Sequence, residues 1–434
     1  MREMERISVI GTGYVGLVSG VVFANWGHQV TCVDKDTRRV ETLKRGESPI
    51  CEPGLSEAMK KALKAGKIRF TQNLQAAIDN SDFIFIAVGT PDKGNGEADV
   101  SQIKSAIKEL AKFIKSYKVI VVKSTVPVGT GEKIEEILQA EGVSRDLFDV
   151  VSNPEFLREG NALYDAQHPE RIIVGGDKKE ILERVSNLYS NAQTEVLFCE
   201  RESSELIKYA SNCFLAMKIS FINSLSVLCE RLGGDVNDVA KGMGLDSRIG
   251  HSFLNAGIGW GGSCFPKDVM GLLRQSEKVG YPFGLLRETV YANEYQTARF
   301  IETMERLCRG MNGKNVGIWG LSFKPNTDDV RDSRALWVCE ELVKRGAKIK
   351  AYDPAGMGNF SKEFPEVIMC QSAYQCVEDA DVLALLTEWN EFKTLDLHKV
   401  KKNMRYPIFM DARNVFSPEE MRRLGFTYWS FGRK

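Results

Sequence analysis

The chain has 434 residues, enough for two or three domains that each bury a hydrophobic core. Its hydrophobic share of 43% and charged share of 27% are typical of a soluble globular protein. The 58 basic and 58 acidic side chains cancel, which argues against binding to nucleic acid or to an anionic membrane.

The first part of the chain alternates strand and helix patterns. Ile7–Ile10 is a β-branched run before a glycine motif, and a helical pattern follows as far as Trp26. The other strand patterns of this part are Val30–Asp34, Ile68–Thr71, Asp82–Gly89, Val119–Lys123, Val150–Ser152 and Arg171–Gly175. Strands that alternate with helices predict a parallel, doubly wound sheet.

The middle of the chain, 200–306, has no strand pattern. Ser203–Leu232 carries apolar residues at helical spacing and no proline, which predicts one long helix. The apolar faces of this helix exceed what one neighbour would cover. We therefore expect it to pair with a second copy of the chain in a homodimer.

Strand and helix patterns alternate again from Lys314. The strand patterns are Asn315–Trp319, Lys348–Tyr352 and Asp379–Leu386, but only Gly317 and Gly320 remain of a glycine fingerprint. We predict an α/β protein with two Rossmann-like doubly wound domains, 1–199 and 307–434, joined by an all-helical domain, 200–306, that contains the long helix. The last domain is expected to hold a ligand other than the cofactor.

The reactive side chains set the expected compartment. Ten cysteines are scattered without a C-x-x-C pair, which predicts reduced thiols and a cytoplasmic location. The four histidines lie far apart, so we expect no metal site. We also expect no signal peptide and no membrane span, because no apolar segment precedes the first glycine motif and the apolar runs are short.

A dinucleotide signature opens the chain. The motif Gly11-Thr12-Gly13-Tyr14-Val15-Gly16 stands between a strand and a helix, and Asp34 ends the next strand. Its glycines allow a tight turn, close approach of a pyrophosphate and close helix packing. Asp34 would bind ribose hydroxyls and repel a 2′-phosphate, which favours NAD over NADP. Lys35 and Arg39 weaken that preference because a basic neighbour tolerates the phosphate.

Two further loops follow strand patterns. They contain Thr90, in Val88–Pro91, and Thr125, in Lys123–Thr130. Ligands of open α/β sheets bind at the carboxyl ends of strands, so both threonines could meet cofactor or substrate. Helix capping explains either threonine equally well.

Cys264 lies in the glycine-rich segment Gly259–Asp268. Pro266 suits the first turn of a helix, which would put the thiol near a helix N-terminus, where the thiolate is favoured. Lys267 favours the thiolate further, whereas Asp268 opposes it. Such a thiol can hold a carbonyl carbon while a nicotinamide takes hydride. Inert core packing, the alternative, is what we expect of Cys32, Cys199, Cys213, Cys229 and Cys339.

Two pairs of polar residues at i,i+4 are further candidates. Lys208 and Asn212 project from one face of the long helix, and a lysine can stabilise a developing alkoxide. Glu155 and Glu159 follow a strand end, where a carboxylate could assist a water. Spacing alone favours a solvated helix face for the first pair and ordinary surface charge for the second.

Together these segments resemble the UDP-glucose/GDP-mannose dehydrogenase family over essentially the whole chain. Phe265 points to the glucose branch, since the mannose branch usually has leucine there. Ile258 and Trp260 depart from the family, where proline and phenylalanine are more common. The motifs that carry the resemblance are Gly11–Gly16, Gly89–Pro91, Ser124–Thr130, Asn153–Gly160, Lys208 with Asn212, Phe253–Asp268 and Phe323–Ser333.

The resemblance implies oxidation of UDP-glucose to UDP-glucuronate, with two NAD per turnover, through a thiohemiacetal and a thioester on a cysteine. The implied catalytic residues are Cys264 as nucleophile, Lys208 and Asn212 for the oxyanion and a water, Asp268 as orienter or base, Glu155 for thioester hydrolysis and Thr125 for positioning water. The implied cofactor contacts are Gly11, Thr12, Gly13, Tyr14, Val15, Gly16, Asp34, Arg39, Thr90, Thr125, Glu159, Lys267 and Arg331. The implied substrate contacts are Glu155, Phe156, Leu157, Lys208, Asn212, Phe253, Asn255, Gly257, Gly261, Lys324, Arg413 and, reaching across from a neighbouring subunit, Arg248.

Three alternatives stay open. The same chemistry could act on GDP-mannose or a UDP-acetamido sugar. The protein could be a two-electron dehydrogenase in which Cys264 is structural. It could also be an NAD-binding regulatory module without turnover.

Overall fold

A computed structural model describes residues 4–434. The chain forms two compact units, the first ending at Ser211 and the second running from Asn212 to Lys434. The division into three domains at 199/200 and 306/307 stays a prediction.

The first unit is built around an eight-stranded sheet. Its strands are β1 (Arg6–Ile10), β2 (Gln29–Val33), β3 (Ile68–Thr71), β4 (Phe83–Ile86), β5 (Lys118–Val122), β6 (Phe148–Ser152), β7 (Arg171–Gly175) and β8 (Glu195–Cys199). Its helices are α1 (Tyr14–Asn25), α2 (Thr37–Lys44), α3 (Leu55–Lys64), α4 (Leu74–Asp79), α5 (Ser101–Ala111), α6 (Thr130–Ala140), α7 (Ala162–Gln167) and α8 (Lys179–Asn187), with a 3-10 turn at Arg145–Leu147.

The strand order of this sheet is β3-β2-β1-β4-β5-β6-β7-β8. The first six strands are parallel and follow the order of a dinucleotide-binding sheet, so the predicted Rossmann-like domain is confirmed. One pairing departs from the predicted parallel sheet, because β7 meets β6 antiparallel, with Ser152 opposite Gly175.

The central strands are buried on both faces. In β4, Phe83 and Phe85 pack in one core with Phe23 of α1. Ile84 and Ile86 point the other way, into a second core that α5 and α6 cover. This double burial is why parallel strands read as continuous apolar runs in the sequence.

The predicted long helix is α9 (Arg201–Leu232), which begins two residues before the predicted start and belongs to both units. By length and composition it is apolar enough to cross a membrane, with a mean hydropathy of 1.4 over an 18-residue window. Of that window, 44% is buried. Core helices of soluble proteins meet the same criteria of length and composition.

The second unit continues with helices and then a six-stranded sheet. The helices before the sheet are α10 (Val236–Gly244), α11 (Phe265–Lys278) and α12 (Gly284–Cys308). The strands are β9 (Asn315–Trp319), β10 (Lys348–Tyr352), β11 (Ile368–Met369), β12 (Val382–Leu385), β13 (Ile408–Asp411) and β14 (Thr427–Ser430). The remaining helices are α13 (Arg334–Lys344), α14 (Met357–Glu363), α15 (Ala373–Cys376), α16 (Asn390–Lys393), α17 (Leu397–Asn403) and α18 (Pro418–Arg423).

The second sheet repeats the architecture of the first. Its strand order is β11-β10-β9-β12-β13-β14, and every pair of neighbouring strands in it is parallel. Relative to its own first strand, this is the same order as in the six parallel strands of the first unit. The predicted fold class, two Rossmann-like sheets with a helical segment between them, is confirmed.

Candidate active site

The glycine motif adopts the geometry that its sequence predicts. Gly11 has a left-handed φ of 96°, and a Cβ there would lie 2.6 Å from the carbonyl oxygen of Ala87. A Cβ on Gly16 would lie 2.0 Å from the Gly11 oxygen. A Cβ on Gly13, in contrast, would meet no atom within 4 Å among the described residues. Two glycines thus serve packing, and Gly13 leaves open space at the start of α1, where a pyrophosphate fits.

Asp34 follows β2 and binds the glycine motif directly. Its Oδ2 accepts hydrogen bonds from the backbone N–H of Thr12 at 2.9 Å and from the Thr12 hydroxyl at 2.7 Å. Arg39 lies 3.6 Å away. Partial burial opposes ionisation, but the hydrogen bonds from Asp36 and Thr12 and the charge of Arg39 outweigh it, so the pKa of Asp34 is lowered. Asp34 is therefore ionised at neutral pH, as discrimination against a 2′-phosphate requires.

Thr90 and Thr125 lie in contact. The Thr90 hydroxyl donates to the carbonyl oxygen of Thr125 at 2.8 Å, which joins the loops after β4 and β5. These two strands are neighbours in the sheet, and β4 lies beside β1 at the point where the strand order reverses. Ligands of such sheets bind at this point, so both threonines stand at the place where a dinucleotide is expected.

Tyr14 joins the glycine motif to the segment 153–160. Its hydroxyl donates to Glu52, a buried carboxylate, and the backbone N–H of Gly160 donates to the same Glu52 oxygen at 2.8 Å. Burial and the bond to Glu52 raise the pKa of Tyr14. Glu159 interacts electrostatically with Tyr14. Glu52 is a residue that sequence reasoning missed, because a single acid in a polar segment gives no signal.

Glu155 and Lys208 form a buried ion pair. Lys208 Nζ lies 3.0 Å from Glu155 Oε1, and the two side chains are 4% and 8% exposed, lysine first. The other carboxylate oxygen accepts the N–H of Leu157 at 2.6 Å. The ring of Phe156 lies 5.5 Å from the ammonium. Spacing alone favoured an ordinary surface charge for Glu155, and its buried position shows that this interpretation is wrong.

A second lysine lies behind this pair. Lys123, directly after β5, donates to Asn153 Oδ1 and to the Tyr189 hydroxyl, both at 3.1 Å. Burial lowers the pKa of Lys123 to about 8, although Glu155 favours its charged form. Sequence reasoning missed Lys123, because a lysine directly after a strand carries no pattern that distinguishes a buried side chain from an exposed one.

In the second unit, Cys264 is the N-cap of α11 and Pro266 stands in its first turn, as predicted. Cys264 is partly buried, and the hydroxyl of Ser263 lies 3.6 Å from its sulfur. The backbone N–H of Asp268 donates to the Cys264 carbonyl at 2.9 Å. A thiol at a helix N-terminus meets the positive end of the helix dipole, which favours thiolate.

The carboxylate of Asp268 binds two polar side chains one turn after the thiol. It is 1% exposed, and its two oxygens accept from Asn212 Nδ2 and from Lys267 Nζ, both at 2.6 Å. Asn212 is 7% exposed, so it does not lie on a solvated helix face, which is what spacing alone favoured. The thiol of Cys213 donates to the backbone oxygen of Asp268, and burial raises its pKa to about 12, which suits an inert core thiol.

The glycines before Cys264 bring backbone against backbone. A Cβ on Gly261 would lie 2.1 Å from the Asp332 carbonyl oxygen, and one on Gly257 would lie 2.9 Å from that of Ala412. Trp260 lies between these two glycines in the sequence, and its backbone N–H donates to Asn293 at 2.8 Å. The space that these two glycines leave is therefore filled by protein atoms, and their predicted contact with substrate stays a prediction.

The second sheet lacks the dinucleotide geometry of the first. Asp353 follows β10 as Asp34 follows β2, but it is fully buried and accepts the N–H groups of Leu321 and Ser322 and the indole of Trp389. No helix starts directly after β9 in this described segment, since α13 begins only at Arg334. The loss supports the expectation that this domain holds a different ligand.

A cavity of about 360 Å³ lies at the carboxyl end of the second sheet, a size that suits a small ligand. Arg413 lines it and lies 3.3 Å from Glu388. Sequence reasoning missed Glu388 and Lys393. The lining residues are Ile219, Asn255, Ala256, Gly257, Gly259, Glu388, Lys393, Arg413, Asn414 and Val415.

Other predicted contacts lie outside these clusters. Arg248 is 86% exposed and pairs with Asp246, and Arg331 is 67% exposed and pairs with Asp329. Lys324 lies over the ring of Phe323. Phe253 adopts a left-handed φ of 66°, a strained conformation that is enriched at ligand-binding segments. Val15 lies in the first turn of α1. Within residues 4–434, no group of three or more His, Cys, Asp or Glu side chains could hold a metal ion.

The chain matches three sequence models that describe one family, UDP-glucose/GDP-mannose dehydrogenase. The model of the NAD binding domain matches residues 5–193, that of the central domain 202–295 and that of the UDP binding domain 317–418.

Individual relatives agree with these matches. The chain is 45% identical over 431 residues to UDP-glucose 6-dehydrogenase TuaD of Bacillus subtilis (99% of this chain, 94% of the relative). It is 45% identical over 436 residues to UDP-glucose 6-dehydrogenase of Rhizobium meliloti (99% of each chain). A UDP-glucose dehydrogenase structure from Pyrobaculum islandicum superposes with a TM-score of 0.93 at 36% identity, covering 100% of this chain and 98% of the other. From the glycine motif to the UDP binding domain, the chain belongs to the UDP-glucose/GDP-mannose dehydrogenase family.

Proposed function

We propose that this protein is a UDP-glucose 6-dehydrogenase, which oxidises the C6 alcohol of UDP-glucose to the carboxylate of UDP-glucuronate with NAD. Relatives at 45% identity carry this name. The structural observation that carries the proposal is Cys264 at the N-terminus of α11, one turn before the buried Asp268. A nucleophile beside a set of ordered polar groups is what a covalent oxidation needs.

NAD supplies the hydride acceptor for each oxidation. The open space at Gly13 and the start of α1 suit its pyrophosphate, and Asp34 suits its ribose hydroxyls. The other residues that we assign to cofactor binding are Thr12, Tyr14, Val15, Arg39, Thr90, Thr125, Glu159, Lys267 and Arg331.

The first oxidation turns the alcohol into an aldehyde. The hydroxyl gives up its proton and C6 gives up a hydride, so two electrons leave. We assign Lys208 and Asn212, one turn apart on α9, to hold the oxygen as its negative charge develops. Asp268 orients Asn212 through the 2.6 Å hydrogen bond, and it is the candidate acceptor of the proton.

The second oxidation takes place on the enzyme. The Cys264 thiolate bonds to the aldehyde carbon to give a thiohemiacetal, and loss of a second hydride leaves a thioester. Thr125 positions a water, Glu155 takes its proton, and the C–S bond breaks to release carboxylate and thiolate. One alcohol, one water and two NAD thus give one carboxylate, two NADH and three protons. The covalent bond keeps the aldehyde from escaping.

The second unit binds the nucleotide end of the substrate. Its cavity at the carboxyl end of the second sheet carries two cations, Lys393 and Arg413, which suit a diphosphate. Contacts far from C6 orient the reacting carbon and lower the barrier through binding energy. The other residues assigned to substrate are Phe156, Leu157, Arg248, Phe253, Asn255, Gly257, Gly261 and Lys324.

The protein works as a cytoplasmic homodimer in this proposal, with domains 1–199, 200–306 and 307–434. Phe214, Phe221 and Leu228 recur every seven residues on α9 and are 57%, 52% and 47% exposed. Such a stripe on one helix suits a second copy of the same helix. No disulfide joins any of the ten cysteines, all of which lie within residues 4–434, as a reducing compartment favours.

The test is NADH formation by purified protein with UDP-glucose, GDP-mannose and a UDP-acetamido sugar. Of the three sugar nucleotides, we expect only UDP-glucose to support rapid NADH formation. Cys264→Ser should prevent completion of the second oxidation. Cys51→Ser, at an exposed thiol, is the matched control and should turn over normally. Equal turnover by the two serine variants would show that Cys264 is not the nucleophile. Rapid NADH formation with GDP-mannose but not with UDP-glucose would show that the proposed substrate is wrong.

A further inference from the structure

Glu205 is a buried carboxylate in the first unit that the mechanism above does not use. It lies on α9 and is 2% exposed. Its Oε2 accepts the backbone N–H of Gly129 at 2.6 Å, and its Oε1 accepts that of Gly131 at 2.8 Å. Both N–H groups belong to the start of α6, so each oxygen binds the positive end of that helix.

These bonds replace a helix cap. Gly129 is the N-cap of α6, has a left-handed φ of 86° and has no side chain to accept the first N–H groups. Unpaired N–H groups at a buried helix start are costly, so another part of the chain has to accept them. Glu205 does this from a different helix, and it thereby fixes the start of α6 to α9.

The start of α6 also ends the loop that carries Thr125. This loop runs from Lys123, directly after β5, to Gly129. The sheet holds one end of the loop, Glu205 holds the other, and the Thr90 hydroxyl binds the Thr125 carbonyl between them. Glu205 lies three residues before Lys208 on one face of α9, so the same face binds both the Thr125 loop and Glu155.

The charges around Glu205 are mixed. On α9, Arg201 favours its ionised form and Glu202 opposes it. Arg201 is itself engaged by Glu135 of α6 and by Asp177 after β7, each at 2.8 Å. Burial raises the pKa of Glu205 to about 7, against the two N–H groups, which lower it. The carboxylate therefore gains a proton close to neutral pH.

We propose that Glu205 is a positioning residue of the dehydrogenase: its ionised carboxylate clamps the start of α6 and holds the Thr125 loop in place, and protonation loosens the clamp. A protonated carboxyl turns one acceptor into a hydroxyl, which cannot serve its N–H partner equally well. The proposal rests on the proposed function through the role of Thr125 in positioning water.

Hydrogen exchange tests the clamp without any substrate. Exchange of a peptide covering residues 124–134 is measured at pH 6 and pH 8 and corrected for the intrinsic rate. In the unaltered protein, protection should fall by about tenfold on going to pH 6, since bonds to charged groups are the stronger ones. Glu205→Gln should show low protection at both values. Glu136→Gln, at an exposed glutamate of the same helix, should match the unaltered protein.

Kinetics then test the positioning role. Glu205→Gln should lower kcat by about tenfold or more, leave the KM for UDP-glucose within about twofold, and remove the fall in activity as pH drops through 7. Equal protection of the two glutamine variants at pH 8, or an unchanged pH profile in Glu205→Gln, would overturn the proposal. If no NADH forms from UDP-glucose in any variant, the proposed function fails, and the exchange data still decide on the clamp.

Discussion

Lys208 and Glu155 form an ion pair in the interior of the first unit, with 3.0 Å between Nζ and Oε1 and less than a tenth of either side chain exposed. Removing two charges from water costs free energy that their attraction repays only while both are present. An apolar pair would avoid this cost, so a buried ion pair is weak evidence for a stabilising role and suits groups that act in chemistry.

Removing one partner should therefore be costly. Lys208→Met leaves a buried carboxylate without its cation and should lower the free energy of unfolding by about 3–5 kcal/mol. Adding Glu155→Gln should recover much of that loss without restoring NADH formation. Urea unfolding followed by circular dichroism measures the effect. Lys179→Met, in the exposed pair with Glu183, is the control and should cost less than about 1 kcal/mol. Equal losses for the two methionine variants would contradict this reading of the pair.

Gly13 and Gly16 should separate ligand binding from packing. Gly13→Ala adds a methyl group where no atom of the described residues lies within 4 Å, so the melting temperature should not change. The same methyl group stands in the path of a pyrophosphate, so the Kd for NAD should rise by about tenfold or more. Gly16→Ala should instead lower stability, because its Cβ would lie 2.0 Å from the Gly11 oxygen. Protein fluorescence titrated with NAD measures the affinity. Unaltered affinity in Gly13→Ala would place the cofactor elsewhere.

The sequence predicted four strands with the bounds that the structure has, and the burial of these strands ranges from nearly continuous in β9 to alternating in β10. Ile68–Thr71, Arg171–Gly175, Asn315–Trp319 and Lys348–Tyr352 have the predicted bounds. The predicted strand Asp82–Gly89 shrinks to Phe83–Ile86, because the apolar run continues into the loop that carries Thr90. The strand β8 was missed, since no residue in Glu195–Cys199 is fully buried and the apolar run is short. The strands β11, β13 and β14 were also missed, each with four residues or fewer.

The candidate site was predictable where residues stand in motifs. The glycine motif, Asp34 and the segment before Cys264 have a sequence context that limits their meaning. Glu52, Lys123 and Glu205 have none, because each acts through a partner far away in the chain. The burial that distinguishes them from surface charges is a property of the tertiary fold.

The pH dependence of stability should show the cost of the Glu205 clamp. The folded-state pKa of about 7 is above the unfolded value of 4.5, so the folded protein binds this proton more tightly. Binding of this proton stabilises the folded state fully below pH 4.5, and this stabilisation is lost as pH rises through 7. Glu205→Gln does not titrate, so its stability relative to the unaltered protein should rise between pH 5 and pH 8 by up to about 3 kcal/mol. Urea unfolding at a series of pH values measures this, and a difference independent of pH would show that Glu205 does not titrate in this range.

The exposed stripe on α9 predicts the oligomeric state. Phe221→Glu places a charge at the centre of the stripe formed by Phe214, Phe221 and Leu228. A buried unpaired charge at an interface is strongly unfavourable, so the variant should shift from two chains to one. Sedimentation equilibrium measures the mass. Tyr164→Glu, at another aromatic residue that is 59% exposed, should leave the dimer intact. A dimer in Phe221→Glu would show that the interface lies elsewhere.

The covalent route through Cys264 is tested most directly by the yield of NADH per molecule of UDP-glucose when the sugar nucleotide is limiting and NAD is in excess. A thiohemiacetal that is oxidised to a thioester and then hydrolysed predicts two NADH, with UDP-glucuronate as the product. A yield of one NADH, with the aldehyde as product, would contradict the account and leave Cys264 without its role.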